Sequence, residues 1–548
     1  MSKPKTASSH HLHLDDSESR RYLVNIDSHS TGQLFTDCLV IGSGIAGLRA
    51  ALEAAKQCNV MLVCKKKLND SNTWKAQGGI ASVLHQSDSF DSHIADTLKT
   101  GCGLSDPEVV STVVRQGPPL LEELMAWGTN FDRVNGQLDM TLEGGHSKAR
   151  VLHAHGDETG RIIAQALINQ VTAHPNVSIM EDFYGIDLLT DGNGQCTGLI
   201  GSNRQRGLQI IWANHTILAS GGVGQLFRET TNPDVATGDG LAMAYRAGAV
   251  LRDLEFMQFH PTTLYIAGAS RALVTETLRG EGAYLVDNSG NRFMHEYHES
   301  AELAPRDVVS RAILSQMRKI EATHVFLDIR HFDKKHFHKR FPLISELCES
   351  FDIDVSTDLI PVRPSAHYMV GGVKTDHQGR TNIPHLLACG EVASTCLHGA
   401  NRLGSNSLLE GLVFGMMSGK TVNSDLSAAR PPLLRYTVPS SDRSRLDTAD
   451  VRNSLRALMW RNVGITRKHT PLEEAREIIC FWQRYVMDKV FESPSGWECQ
   501  NMLTLGMLMA QVAQQRLESR GVHYRLDYTE RDDTQFQYHI EVSKAQLG

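Results

Sequence analysis

The sequence predicts an α/β protein of several domains: a nucleotide-binding domain on a parallel sheet, split by an inserted α+β domain and followed by a helical C-terminal domain. Three observations predict it. The apolar run DCLVI (37–41) ends at Gly42 and leads through an alanine- and leucine-rich stretch into a second apolar run, VMLVC (60–64), so the order is strand, helix, strand. A run of the same texture, HLLACGE, returns at 385–391 after a stretch of different composition. Beyond residue 436 the chain becomes Arg-, Leu- and Glu-rich with helical spacing.

Taken in order, the first 35 residues have mixed charge and no apolar stretch of signal-peptide length, and they read as a flexible N-terminal extension. Residues 36–253 form the first part of the nucleotide-binding domain, with a glycine-dense middle and a strand Thr216 to Ala219 running into Ser220, Gly221 and Gly222. Residues 254–368 carry aromatics, histidines and paired charges and read as the insertion. Residues 369–435 return to the nucleotide-binding domain, and 436–548 form the helical domain, with the proline-bearing stretch around 430–443 as linker. At 548 residues the chain is long enough for two or three separate cores.

Bulk composition narrows the function. A formal charge of −7 supplies no basic field for nucleic acid or an anionic membrane, so an anionic substrate needs a local cluster of arginines. No apolar run reaches the roughly 18 residues of a membrane span. The ten cysteines form no CxxC pair, which fits reduced thiols in a cytoplasmic protein better than a disulfide framework or a zinc site. His10, His11 and His13 cluster in a polar tail without metal-ligand spacing, and no metal is expected.

Gly42-Ser43-Gly44-Ile45-Ala46-Gly47 is GxGxxG between a strand and a helix, the context that gives the pattern meaning. Glycine at 42 makes the tight turn, at 44 admits a pyrophosphate, and at 47 lets helix and strand pack closely. The free amides at the helix start then meet the diphosphate. The second strand ends in Cys64 and Lys65 where a ribose-binding acid is expected, so Lys65 is read as lying near a phosphate.

Asn72-Thr73-Trp74-Lys75-Ala76-Gln77-Gly78-Gly79-Ile80 resembles the flavin-facing segment of the succinate dehydrogenase and fumarate reductase flavoprotein family. The resemblance runs on through TTNPDVATGDG (230–240), LEFMQFHPT (254–262), TETLRGEGAYL (275–285), ELAPRDVVSRAI (302–313), AHYMVGGV (366–373) and HGANRLGSNSLLEGLVFG (398–415). It implies an FAD-binding Rossmann-type domain with the insertion as a capping domain over the flavin. By the same resemblance Ser43 to Ala46, Lys65, Asn72 to Gly79, Asp239, Glu391, Ser407 and Leu408 line the FAD. Membrane-complex members carry a flavin-linking histidine five residues before the glutamine; Asn72 stands there, so the FAD is expected to be non-covalent.

Within the family, TLEGGHSKARVLHA (141–154) most resembles the members that oxidise L-aspartate. A small dicarboxylate needs two anion clamps, and Arg306, Arg402, His260 and His367 each lie in a family motif. Arginine suits the task because its planar fork holds a carboxylate at two points. In isolation each would read as a structural histidine or a surface ion pair. The resemblance places Arg306 over the reacting carbons and the other three on the carboxylates, with Thr275 and Gln258 in the same pocket. Glu143 chooses between substrates: succinate brings only negative charge and would be repelled, whereas aspartate also brings an ammonium group. The competing view is that Glu143 caps a turn in EGGH.

The resemblance implies hydride transfer from the aspartate α-carbon to FAD, giving iminoaspartate, with oxygen or fumarate as acceptor. It further implies a first step of NAD biosynthesis by way of quinolinate, with handover to quinolinate synthase. The alternative is a fumarate reductase or succinate dehydrogenase flavoprotein subunit, which would share the two-arginine pocket.

Overall fold

The computed structural model describes residues 7–14, 20–266, 271–427, 431–439 and 446–544. Its central element is a seven-stranded sheet in which Val177–Met180, Val60–Val63, Gly32–Ile41 and Gly207–Leu218 run parallel. Leu386–Ala388 joins the same sheet through Gly207–Leu218, which is how a segment beyond the insertion completes the nucleotide-binding domain. Strand alternation sends Cys38, Val40, Val60, Leu62 and Ile217 to one core and Leu39, Ile41, Val63 and Leu218 to another. Both faces are therefore covered. The first is packed by the helices Ile45–Ala54, Pro107–Ala126 and Asn406–Ser424, the second by Asp239–Arg246 and helices of the C-terminal region.

The fingerprint glycines do what the spacing requires. Gly42 has φ 118°, and a Cβ there would lie 2.2 Å from the carbonyl oxygen of Ala219. A Cβ at Gly47 would lie 2.0 Å from the Gly42 oxygen, so the helix can dock on its strand only without one.

The insertion is a four-stranded antiparallel sheet of Met257–Leu264, Ile360–Met369, Val325–Asp328 and Tyr284–Val286. Helix Arg306–Lys319 packs on it, and Leu264, Leu285, Val309, Ile313 and Val362 share its own core. Three helices, Thr448–Asn462, His469–Val486 and Pro494–Gln515, make up most of the C-terminal region. Among the described residues no helix is long and apolar enough to cross a membrane.

Two expectations need correction. The first 35 residues are not a loose extension in their described parts. Ser8–Leu14 is a strand paired in parallel with Tyr538–Lys544, Ile26–Asp27 pairs with Arg435–Tyr436, and Tyr22, Leu23, Val24 and Ile26 are buried. Asp187 accepts from the Leu23 amide at 2.7 Å. Nor is the C-terminal region wholly helical: Tyr538–Lys544 lies between Ser8–Leu14 and Leu251–Arg252 in a five-stranded sheet. The composition of SSHHLHL is that of a tail, and its pairing partner is more than 500 positions away (Ser9 Oγ donates to Glu541 at |i−j| = 532), so no local pattern betrays it.

Candidate active site

A cavity of about 1000 Å³ opens where the parallel strands end. Residues 42–46 and 72–77, with Ser220, Gly221, Glu391, Ser407 and Leu408, form one wall. Gly47, Gly78 and Gly79 do not reach it; a Cβ at Gly79 would strike the Leu152 carbonyl oxygen at 2.3 Å, so that glycine serves packing.

Two helix starts open onto this space. Helix Ile45–Ala54 begins at Gly44 and helix Asn406–Ser424 at Ser405, and neither N-cap residue bonds its helix with its own side chain. The Ile45 amide donates to Thr73 Oγ1 at 3.0 Å; the remaining first-turn N–H groups and the positive end of the helix dipole favour an anion at both places. The two helices meet through glycine: a Cβ at Gly415 would come within 2.6 Å of the Ala46 oxygen. At Gly221, φ 76°, a Cβ would find nothing within 4 Å, so that backbone is bare for a ligand to lie against. The wall suits an extended, doubly anionic dinucleotide.

Glu391 sits beside this wall. Its two oxygens accept from the Met369 amide at 3.0 Å and from Asn72 Nδ2 at 2.9 Å, and burial pushes its carboxyl up to about 7. Asn72 is thus an amide that orients Glu391, with no nucleophile to offer.

Lys65 and Asp239 line the same cavity and are tied to each other. Lys65 Nζ donates to Thr237 Oγ1 at 2.7 Å and to Asp239 Oδ2 at 2.8 Å, and it also contacts the Glu498 carboxylate. Its donors are spent on two acids instead of a phosphate. Asp239 in turn accepts from Tyr184 at 2.8 Å, Asn501 at 2.7 Å and Thr237 at 2.8 Å. Burial opposes its charge, but the Lys65 ammonium holds the carboxyl below its usual range. Both residues line the cavity as a neutralised brace; Glu498 and Asn501 come from the helix Pro494–Gln515, too far along the chain for the sequence to reveal.

At the other end of the cavity stand His367 and Arg402. Behind them lies a connected layer holding Gln258, His260, Thr275, Arg306 and Glu143. Gln258 Oε1 accepts from Arg402 Nε at 3.2 Å, from a terminal nitrogen of Arg402 at 3.0 Å, and from Arg306 at 3.3 Å. One buried and one partly buried guanidinium group, those of Arg402 and Arg306, therefore share one neutral oxygen. Burial and the neighbouring Arg306 charge pull Arg402 down to about 10, the mark of a site short of anions. The rings of His260 and His367 lie 5.1 Å apart. Burial holds both well below the ordinary histidine range, His260 further disfavoured by Arg306 and His367 by Arg402.

Glu143 is buried beside this layer at 4% exposure, which disposes of a solvent-facing turn cap. Thr277 Oγ1 donates to it at 2.9 Å, Ser405 Oγ at 3.0 Å, and His153 Nε2 lies 3.3 Å away. Burial works against its charge but is outweighed by His153, with His146 and Arg306 adding to the effect, so the carboxyl falls to about 2. Thr275 reaches it only through Thr277, at 3.2 Å between hydroxyls.

Sequence reasoning missed Glu276, which accepts from Arg306 Nε at 2.5 Å and lies 3.1 Å from Arg279. The signal was present, since Glu276 and Arg279 are i, i+3 neighbours in the TETLRGEG motif that supplied Thr275. Ser405 and His153 were missed as well, both lying in quoted motifs.

With the geometry in place, comparison with known proteins is informative. Residues 37–408 match the family model described as FAD binding domain, and 452–547 the one described as Fumarate reductase flavoprotein C-term. An L-aspartate oxidase of Streptomyces coelicolor is 41% identical over 92% of this chain and 91% of its own length. One from Yersinia pestis is 40% identical over 91% and 97%. The chain belongs to the L-aspartate oxidase family. It is an FAD-dependent oxidoreductase. It is also similar to two solved structures. A variant of the E. coli quinol fumarate reductase FrdA chain superposes with a TM-score of 0.88 at 33% identity, covering 94% of this chain and 96% of that one. The Mycobacterium smegmatis Sdh1 chain gives 0.80 at 30%, covering 91% and 90%.

Proposed function

We propose that this protein oxidises L-aspartate to iminoaspartate, with oxygen or fumarate as electron acceptor. The observation that carries this reading is a buried Glu143 carboxylate, held at about 2, in the layer behind the Arg402 end of the cavity, where the Arg306 charge helps to keep it ionised. A plain dicarboxylate satisfies the arginines but leaves Glu143 opposed by a like charge; an amino dicarboxylate satisfies all three.

The wall formed by residues 42–46 and 72–77 would hold FAD, which would supply the acceptor for the hydride leaving the α-carbon. Arg402 and Arg306 grip the two carboxylates, replacing the shared Gln258 oxygen as their partner. Glu276 fixes the direction of the Arg306 fork through its short bond to Nε. Arginine is a poor base near neutrality, so Arg306 positions the substrate and balances its charge. His260 contributes as a neutral ring whose Nδ1 lies 3.0 Å from the Thr262 carbonyl oxygen and 3.3 Å from the Thr262 amide; a substrate carboxylate that accepts from Nε2 selects the tautomer with the proton there. Glu143, at about 2, is too weak a base to take a proton from the amine and acts as counter-ion to the ammonium. The FAD is held without a covalent bond, since Asn72 offers no attachment point. The ten free cysteines suit a reducing, cytoplasmic setting. Iminoaspartate hydrolyses in water, so an enzyme that condenses it promptly, such as quinolinate synthase in NAD biosynthesis, is the natural recipient.

The test is peroxide release by the FAD-loaded protein under air, with aspartate and with succinate. Release with aspartate alone is expected. Equal release with succinate would favour the second reading, a fumarate reductase or succinate dehydrogenase subunit, which the paired arginines alone also fit.

A further inference from the structure

Away from the cavity, the five-stranded sheet that closes the molecule carries a cluster the reaction does not use. Cys396 follows the edge strand Ala393–Ser394, and His539 lies on Tyr538–Lys544 in the same sheet. His539 Nε2 lies 3.7 Å from Cys396 Sγ, and its Nδ1 lies 2.5 Å from Asp253 Oδ2. Arg252 directs a terminal nitrogen at the same sulfur at 2.5 Å, while its Nε bonds Glu541 at 3.2 Å. Sulfur, imidazole and carboxylate are thus in line, with a guanidinium on the sulfur.

From this geometry we infer that Cys396 is a peroxide-reactive cysteine, a site of reversible oxidation to sulfenic acid. Nucleophilic sulfur is the thiolate, and cationic neighbours stabilise that form. Both neighbours here are cations. Burial works against a charged His539, but Asp253 beside it prevails and pushes the ring up to about 10.

Burial raises the thiols of eight of its nine companions. Seven of the ten cysteines are buried, and only Cys102, Cys396 and Cys480 are partly exposed. Burial pushes Cys64, Cys348, Cys389 and Cys499 up to about 12. Cys102 is a thiol that donates to the Thr100 carbonyl at 3.3 Å, and burial raises it too. Nor does the backbone ask for a cysteine at 396. That residue is held at φ 67°, a left-handed conformation that is strained for an L residue and that glycine adopts freely.

The chemistry balances with hydrogen peroxide as oxidant. The Cys396 thiolate attacks one peroxide oxygen, an S–O bond forms and the O–O bond breaks. Hydroxide leaves and takes the Nε2 proton of His539 to become water. Sulfur loses two electrons and peroxide gains them; the products are Cys396 sulfenic acid, water and a neutral imidazole still bonded to Asp253. Oxygen-coupled turnover would supply the oxidant, but the inference does not depend on that source.

The experiment adds peroxide directly to the FAD-loaded protein in the absence of substrate, traps sulfenic acid with a 1,3-diketone, and maps the adduct by peptide mass. Adduct on Cys396 should form at least about tenfold faster than on Cys102 or Cys480, as expected where cationic groups face the sulfur. His539→Gln should slow it at least about fivefold, since both the cation and the proton donor are lost. Cys396→Gly suits the backbone, so it folds even where the His539 variant does not, and it should carry no fast-forming adduct. Labelling spread evenly over the three exposed cysteines, or fast adduct persisting in Cys396→Gly, would overturn the inference.

Discussion

Replacing Glu143 with glutamine removes one charge and almost no volume from the pocket. Each carboxylate oxygen is partly engaged, by Thr277 and His153 on one side and Ser405 on the other, at 2.9 to 3.3 Å. A carboxylate offers about four acceptor sites, so one remains for the substrate ammonium. A hydrogen bond to a charged group is worth roughly 1.5–3 kcal/mol. At about 1.4 kcal/mol per tenfold change, Glu143→Gln should lower kcat/KM for aspartate by roughly 10- to 150-fold. Fumarate carries no ammonium, so its reduction by the same protein with an artificial electron donor should change less than about threefold, by the same arithmetic. Peroxide release and dye oxidation measure the two activities on one preparation. Equal losses in both would mean that Glu143 only supports the loop it sits on. A stability control is available in acid. Because the folded carboxyl lies at about 2, against 4.5 ordinarily, the charged form contributes stability that is complete above 4.5 and lost as pH falls through 2. The stability gap between wild type and Glu143→Gln should therefore narrow across that window and remain constant above it.

Glu391 titrates the other way. Its carboxyl is pushed up to about 7, so if the carboxylate accepts from an FAD hydroxyl, affinity for FAD should rise as pH increases toward 7 and then level off. Fluorescence titration should show a flat profile for Glu391→Gln; a flat profile in wild type would remove Glu391 from the cofactor contacts. Arg306→Lys keeps the charge but cannot satisfy Glu276, Gln258 and a carboxylate together, so aspartate turnover should drop at least about 100-fold while FAD binding is unchanged. Activity within threefold of wild type would show that a point charge is enough. Gly47→Val must push aside the Gly42 carbonyl 2.0 Å from its Cβ and should yield protein without FAD, seen as loss of the flavin absorbance.

The nucleotide-binding half of the fold was legible because its signals are local. A strand, a tight turn and a helix occupy residues 32–54, and the glycines that permit the turn are adjacent in sequence. Arg306, Arg402 and Gln258 could be named from their motifs, but only the fold reveals that both guanidinium groups converge on one amide oxygen. The pairing of Lys65 with Glu498 was not legible, because that acid lies on a helix of the C-terminal region. The segment before residue 35 was misread for a related reason: a polar strand at a sheet edge has no apolar alternation of its own, and its identity comes from its partner.

That partner has a consequence for how the molecule is made. Tyr538–Lys544 is inserted between strands formed by residues 8–14 and 251–252, so during synthesis it is the last of the three to emerge. Until it does, Leu251–Arg252 keeps one bonding edge open, an invitation to intermolecular pairing. Closure of that gap is expected to be a late, slow event set by loop entropy, and a carboxyl-terminal deletion removing those seven residues would expose the same edge permanently.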